Sequence, residues 1–257
     1  MVDFVVKPLN FENEEALSKL RQLSLSTDAV LARELERGVA EAPFIIKKPY
    51  EIITGIIDQL FVDRNPIARF YFLETVARVP YYSYISMIHT YETLGWWRRS
   101  TTMKRIHFAQ EYNELHHLMI WEALGGDQEW LVRFCAQHSA VFSFYFLVVM
   151  WAVSPKWAYN FSELLEGHAV DTYAEFAEAN KELLQTMAPP LVAKEYYESK
   201  DMYIFDEFNN QKRRRPVINT LYDVVCSIRD DEGEHITTLR KCQGYEDTEE
   251  DKMARGK

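Results

Sequence analysis

Asn113-Glu114-Leu115-His116-His117 is matched late in the chain by Asp231-Glu232-Gly233-Glu234-His235. Each stretch sets a glutamate three residues before a histidine. On a helix, residues i and i+3 are surface neighbours roughly 5–6 Å apart at Cβ, so both heads can converge on one metal ion. Of the seven histidines, only His117 and His235 have glutamate at that offset. Two exposed Glu–His neighbours would give the same count, so the order of the surrounding helices has to decide.

In order, the chain offers Glu74, then Glu114 with His117, then Glu166, then Glu232 with His235, each in its own helical pattern. Ferritin-like di-iron bundles take one Glu from each of two helices and a Glu-x-x-His from each of the other two. Carboxylates with two imidazoles suit a pair of iron or manganese ions cycling between +2 and +3, because hard oxygen donors stabilise the higher charge. Zinc more often takes cysteine or three histidines.

Composition agrees with an all-α chain. At 257 residues, 47% apolar and 14% aromatic, it can bury one large core, and it has only nine glycines and nine prolines. A formal charge of −10 disfavours nucleic acid as a partner. The short basic clusters, Arg98-Arg99 and Lys212 to Arg215, read as solvated loops. Cys135, Cys226 and Cys242 are too scattered for a disulfide framework or a metal site, which suits a reducing compartment. Met1 to Asn10 lacks the features of a signal or transit peptide.

Residues 1–45 read as an N-terminal arm outside the core, with Ser26-Thr27-Asp28 capping a short charged helix. Residues 46–245 read as the bundle, with an irregular insert at 188–216, and 246–257 as a charged tail. Ile52, Ile53, Ile56, Ile57, Leu60 and Phe61 form a helical stripe behind Lys47 and Lys48. Such a stripe either packs on the bundle or lies flat in a bilayer interface. Pro66 opens the helix bearing Glu74, and Pro80 should kink it. Buried Glu74 needs compensation, from a metal or from Arg78 one turn on.

The helix with the first pair runs from about Thr102 to Leu124 and stops at Gly125-Gly126. Within the apolar segment 128–153, Ser139 to Val153 is uncharged. Those residues span only about 22 Å as a helix, against a hydrocarbon core of roughly 30 Å. A buried or interfacial helix is expected, not a membrane span. With the isoleucine stripe it forms the two-helix apolar face that a monotopic membrane protein needs. The helix from about Pro155 to Met187 bears Glu166 and, seven residues on, Tyr173. A tyrosine there either donates to a redox metal or serves as a locally hydrogen-bonded phenol. The last helix, about Val217 to Cys242, carries the second pair.

Leu73-Glu74-Thr75, Asn113 to His117, Leu165-Glu166-Gly167-His168-Ala169 and Arg229 to His235 together resemble the four signatures of the alternative oxidases. The likeness covers roughly residues 50–243 and is closest to the plastid terminal oxidase branch. Tyr91 to Arg99, Asp201 to Phe208 and the insert resemble that branch in particular. The resemblance implies a non-haem di-iron quinol oxidase with two iron ions, bound to one membrane leaflet and dimeric. Its substrates would be plastoquinol and O2, its product water, without proton pumping. The implied location is the stromal side of a plastid thylakoid membrane, or a cyanobacterial-type thylakoid.

The same resemblance implies Glu74, Glu114, His117, Glu166, Glu232 and His235 as ligands, the set that spacing selects. Asn113 and Asp231 match positions that hydrogen-bond around those ligands, and Tyr173 matches the family's catalytic tyrosine. Arg69, Leu165, His168, Ala169 and Thr172 match the quinol pocket, and His89 lies in a segment like the dimer interface. Two departures stand out. His168 replaces a glutamate of mitochondrial members, and Gly233 replaces the usual alanine, a change worth about 1 kcal/mol of helix propensity. With no cysteine before Cys135, the thiol regulation of plant mitochondrial members is not expected. The rival readings are a di-iron hydroxylase or desaturase acting on a lipid or quinone, and a ferritin-type iron-binding protein.

Overall fold

The computed structural model describes residues 14–62, 64–96, 101–199 and 216–244, and those residues form helices and no strand. The basic clusters at 98–99 and 212–215, the motif at 201–208, residues 1–10 and the tail at 246–257 lie outside the described residues.

Local sequence sets the helix ends. Asn65 accepts from the Ile67 amide at 2.9 Å and Pro66 occupies the first turn, opening α4 (Pro66–Ala77). Pro80 has no amide to donate, and the helix breaks at Arg78 before resuming as α5 (Val79–Thr93). α6 spans Thr101–Ala123. It is followed by α7 (Trp130–Val153) and then by α8 (Pro155–Ala179), which is capped by Ser154. Thr220 and Asp223 form a reciprocal capping box at the start of α11 (Leu221–Gln243). Gly126 lies where α6 returns to α4: a Cβ there would sit 2.8 Å from the Ile67 carbonyl oxygen.

α4 with α5, α6, α8 and α11 form the bundle, with α7 laid across α4, α5 and α8. The ring of Phe70 packs against both Trp121 and Tyr173, at centroid distances of 4.4 and 4.5 Å. Tyr81, Tyr84, Trp151 and Tyr159 form a second cluster on the other side. α7 is long and apolar enough to cross a membrane by length and composition, yet only 22% of that window is buried. Its residues Phe142, Tyr145, Val149 and Val153 are exposed, as are Phe44, Ile45, Ile52 and Ile56 on α3 (Phe44–Phe61).

Three expectations need correction. Residues 14–37 are not an arm outside the core. In α1 (Glu14–Gln22) and the turn after it, Leu20 and Leu23 join the main core, and Val30 of α2 (Thr27–Arg37) is fully buried. The mixed charges of α2 do not face solvent alone: Arg33 pairs with Glu175 and Arg37 with Asp171, both at 2.9 Å on α8. The expected helix to Met187 breaks at Asn180, whose side chain bonds both the Ser24 amide (3.0 Å) and its carbonyl (2.7 Å) before α9 (Lys181–Gln185). The stretch read as an irregular insert contains α10 (Leu191–Glu198), which starts directly after Pro189-Pro190 and packs on α6.

His107 is fully buried between Gln110 Oε1 (3.2 Å) and the Tyr159 hydroxyl (3.0 Å). A neutral ring with its proton on Nδ1 satisfies both. Burial pushes its pKa down to about 4. The unfolded chain protonates this ring near 6.5, so the contribution to stability is full above 6.5 and falls as pH drops towards 4. Between pH 7 and 5 that loss is about 2 kcal/mol. His107→Gln should lower stability at pH 7 but remove about that much acid sensitivity, as read from denaturant unfolding at the two pH values.

Candidate metal centre

Glu74, Glu114, His117, Glu166, Glu232 and His235 all converge at the middle of the bundle, and all are buried. They form two groups: Glu74, Glu114, His117 and Glu232, then Glu114, Glu166, Glu232 and His235, with ligand atoms within 4.8 Å of one another in each. Glu114 and Glu232 belong to both. Each gives one oxygen to each histidine. His117 Nδ1 lies 3.2 Å from Glu232 Oε1 and 3.8 Å from Glu114 Oε2. His235 Nδ1 lies 2.8 Å from Glu114 Oε1 and 3.3 Å from Glu232 Oε2. The i, i+3 spacing on α6 and α11 brings each glutamate beside its histidine, while Glu74 and Glu166 close the two ends.

The residues fit a pair of cations. Glu74 Oε2, both oxygens of Glu114 and Glu232, and His117 Nδ1 are buried with no hydrogen-bond partner among the described residues. Such groups in a packed interior strongly favour a bound cation. Burial, then the neighbouring Glu114, pushes Glu74 well above the ordinary carboxylate range; burial, then Glu232, does the same to Glu166. Burial disfavours charge on Glu114 and Glu232 too, but the facing His117 and His235 hold both below that range. Arg78, the alternative partner for Glu74, turns away to Glu111 at 2.5 Å. Four carboxylates with two imidazoles suit two divalent ions of the iron or manganese kind.

Around the ligands, Asp231 Oδ2 lies 3.2 Å from His117 Nε2 and accepts from Asn113 Nδ2 (3.0 Å) and the Tyr197 hydroxyl (2.9 Å). Asn113 also donates to the Tyr196 hydroxyl at 2.7 Å. An Nε2–H donated to Asp231 leaves the Nδ1 lone pair, on the carboxylate side, free for a cation. Tyr173 donates to Glu74 Oε1 and accepts from Trp121 Nε1 at 2.8 Å. Tyr81 donates to Glu166 Oε1.

A cavity of about 90 Å³ leads from Glu74, Glu166 and Glu232 to Ile53 on α3 and Phe142 on α7. Leu165, His168 and Ala169 line it, as does Tyr173; Arg69 and Thr172 do not. Thr172 donates to the His168 carbonyl at 2.7 Å. Arg69 pairs with Asp58 at 2.7 Å and reaches the cavity only through His168 Nε2, 3.4 Å away. On the other side of that ring stands Glu34 of α2, its Oε2 3.7 Å from His168 Nδ1. Burial raises the Glu34 carboxyl, but His168 and the donating Tyr50 hydroxyl outweigh it and hold it low. The Arg37 guanidinium of α2 lies over Gly167 of α8, where a Cβ would come within 2.8 Å of it. His89 is exposed.

Sequence reasoning missed Tyr81, Tyr196, Tyr197 and Glu34. Tyr81 carried a usable signal, since it follows Glu74 by the same seven residues that separate Tyr173 from Glu166. The other three had none, because tertiary packing alone brings them to the site.

A profile of the family described as alternative oxidase matches residues 8–244. The chain belongs to the alternative oxidase family. It is 50% identical over 194 residues to ubiquinol oxidase 4, chloroplastic/chromoplastic, of Arabidopsis thaliana, covering 74% of this chain and 55% of that protein. It is 30% identical over 185 residues to the mitochondrial ubiquinol oxidase 1b of Oryza sativa subsp. japonica, covering 68% of this chain and 48% of the relative. The chain thus spans about half the length of these relatives. In this alternative oxidase the six clustered side chains come from four separate helices.

Asp231→Asn keeps the side-chain shape but removes the charge facing His117. Metal affinity should fall by about 10–100-fold, read by anaerobic Mn²⁺ binding, with the far-UV spectrum unchanged.

Proposed function

We propose that this alternative oxidase is a quinol:oxygen oxidoreductase, using plastoquinol and two iron ions held by Glu74, Glu114, His117, Glu166, Glu232 and His235. The observation that carries the reading is the paired ligand set, with its shared carboxylates, at the inner end of an apolar cavity. When bound, the two ions supply the redox capacity for reducing O2, and the bundle supplies geometry and dryness. Two quinols give four electrons and four protons, which balance one O2 to two waters.

The chain's own residues do the rest. His168 stands where a quinol hydroxyl would arrive, fixed between Arg69 and Glu34. Arg69, braced by Asp58, orients that ring and holds it as an acceptor at Nε2. Leu165, Ala169 and Phe146 enclose the ring of the substrate and exclude water, and Thr172 fixes the backbone behind His168. Tyr173 reaches both the cavity and Glu74, so its phenol is placed to give a proton and an electron at the oxygen-reducing step. The present space is smaller than the usual 300 Å³ or more of a small-molecule site. Admitting a quinol head therefore requires Phe142 and Phe146 to swing outward.

The exposed apolar residues of α3 and α7 flank the same cavity, which supports docking on one leaflet with access from the bilayer. By resemblance the membrane is the thylakoid, on its stromal side, and the protein is a homodimer with exposed His89 near the interface. The name of the Arabidopsis relative supports a plastid location.

Purified protein should hold about two irons per chain and consume O2 with plastoquinol faster than with ubiquinol analogues, leaving quinone and water. Glu114→Ala removes a shared ligand and should abolish iron binding and O2 uptake together; normal turnover in that variant would end the reading. A hydroxylated or desaturated product would favour the lipid- or quinone-modifying class. Iron uptake without quinol turnover would favour ferritin-type binding.

A further inference from the structure

We propose that Tyr81 is a positioning residue of the metal centre, doing for Glu166 what Tyr173 does for Glu74. The proposal rests on the reading of the six side chains as a two-ion site. The hydrogen bonds are crossed. Tyr173, seven residues after Glu166, donates to Oε1 of Glu74, and Tyr81, seven residues after Glu74, donates to Oε1 of Glu166. In both carboxylates Oε2 then faces the histidine of its own group, 3.7 Å from His117 Nδ1 in one and 3.8 Å from His235 Nδ1 in the other.

Glu74, Tyr81, Glu114 and His117 therefore correspond, one for one, to Glu166, Tyr173, Glu232 and His235. An approximate two-fold relation runs through the centre, and Tyr81 completes it. A carboxylate with one oxygen occupied by a buried phenol offers a cation the other oxygen. The tyrosines would thus fix which oxygen Glu74 and Glu166 offer to a cation, with Glu114 and Glu232 shared by the two groups.

The packing locks Tyr81 into this role. It is fully buried, its ring meets His235 edge-on at 5.3 Å, and its other face lies along His107 at 6.3 Å. Its surroundings also separate it from Tyr173. Tyr173 lines the cavity and accepts from Trp121, whereas Tyr81 belongs to the aromatic cluster on the opposite side. Only Tyr173 is within reach of a bound quinol, which makes Tyr81 a positioning residue and not a catalytic one.

The test is anaerobic Mn²⁺ binding to metal-stripped full-length protein, followed by calorimetry and electron paramagnetic resonance. Wild type should take two ions. In Tyr81→Phe one of the two should bind about 10–100-fold more weakly, with an altered spectrum, and with kcat reduced at unchanged KM for quinol. Tyr84→Phe deletes a phenol from the same cluster, one that meets Ser162 and the Ala158 carbonyl and no ligand, and should bind like wild type. Tyr81→Met fills the space without a donor and carries the test if Tyr81→Phe does not fold. Two wild-type affinities with an unchanged spectrum in the Tyr81 variants would overturn the proposal, as would an equal loss in Tyr84→Phe. Failure of the wild type itself to bind two ions would instead overturn the metal-centre reading and leave Tyr81 without a ligand to position.

Discussion

Four carboxylates buried within a few ångströms of one another repel, and in a dry interior that repulsion is scarcely screened. Among the described residues no lysine or arginine is paired with it: Arg78 turns outward to Glu111, and the basic groups facing the cluster are His117 and His235. Protons can neutralise part of the charge, and the raised Glu74 and Glu166 are where burial drives them. Cations do so more completely, because they use oxygens that otherwise have no partner. Metal binding and closure of α4, α6, α8 and α11 are thus two sides of one equilibrium, and metal binding must release protons.

Ligands so placed work only if their orientation is fixed, and the surrounding residues divide that task by face. On the α6–α11 side, Asp231 gathers Asn113, Tyr197 and the far nitrogen of His117 into one network, to which α10 contributes two adjacent tyrosines. On the cavity side, the stack of Trp121, Phe70 and Tyr173 fixes the phenol on Glu74. These networks surround hydrogen-bonded polar groups with packed aromatic rings, which holds their orientation.

The clustering of the six side chains was legible because helical periodicity is a local property. A glutamate three residues before a histidine lands beside it whatever the rest of the chain does, and the order of helices supplied the partners. Helix starts at Pro66 and Pro155 and the break near Pro80 were legible for the same reason, since proline acts on its own turn. What local reasoning lacked was anything set by packing between distant segments. Arg33 and Arg37 look like a solvated face until Glu175 and Asp171 meet them, and Tyr196-Tyr197 looks like loop until α10 docks on α6. Arg69 and Thr172 matched pocket positions by motif, yet both act behind His168 and not on the cavity wall.

Packing between distant segments also decides the surroundings of position 168. Glu34 of α2 faces the imidazole of His168, held low by that ring and by Tyr50. That contact requires α2 to lie close against α8, which the Arg37–Asp171 pair fixes. The polar end of the cavity is therefore built jointly by a bundle helix and by the segment before the bundle. Whatever changes the docking of α2 changes the group a substrate would meet at His168, even though the six clustered carboxylates and imidazoles all lie on other helices.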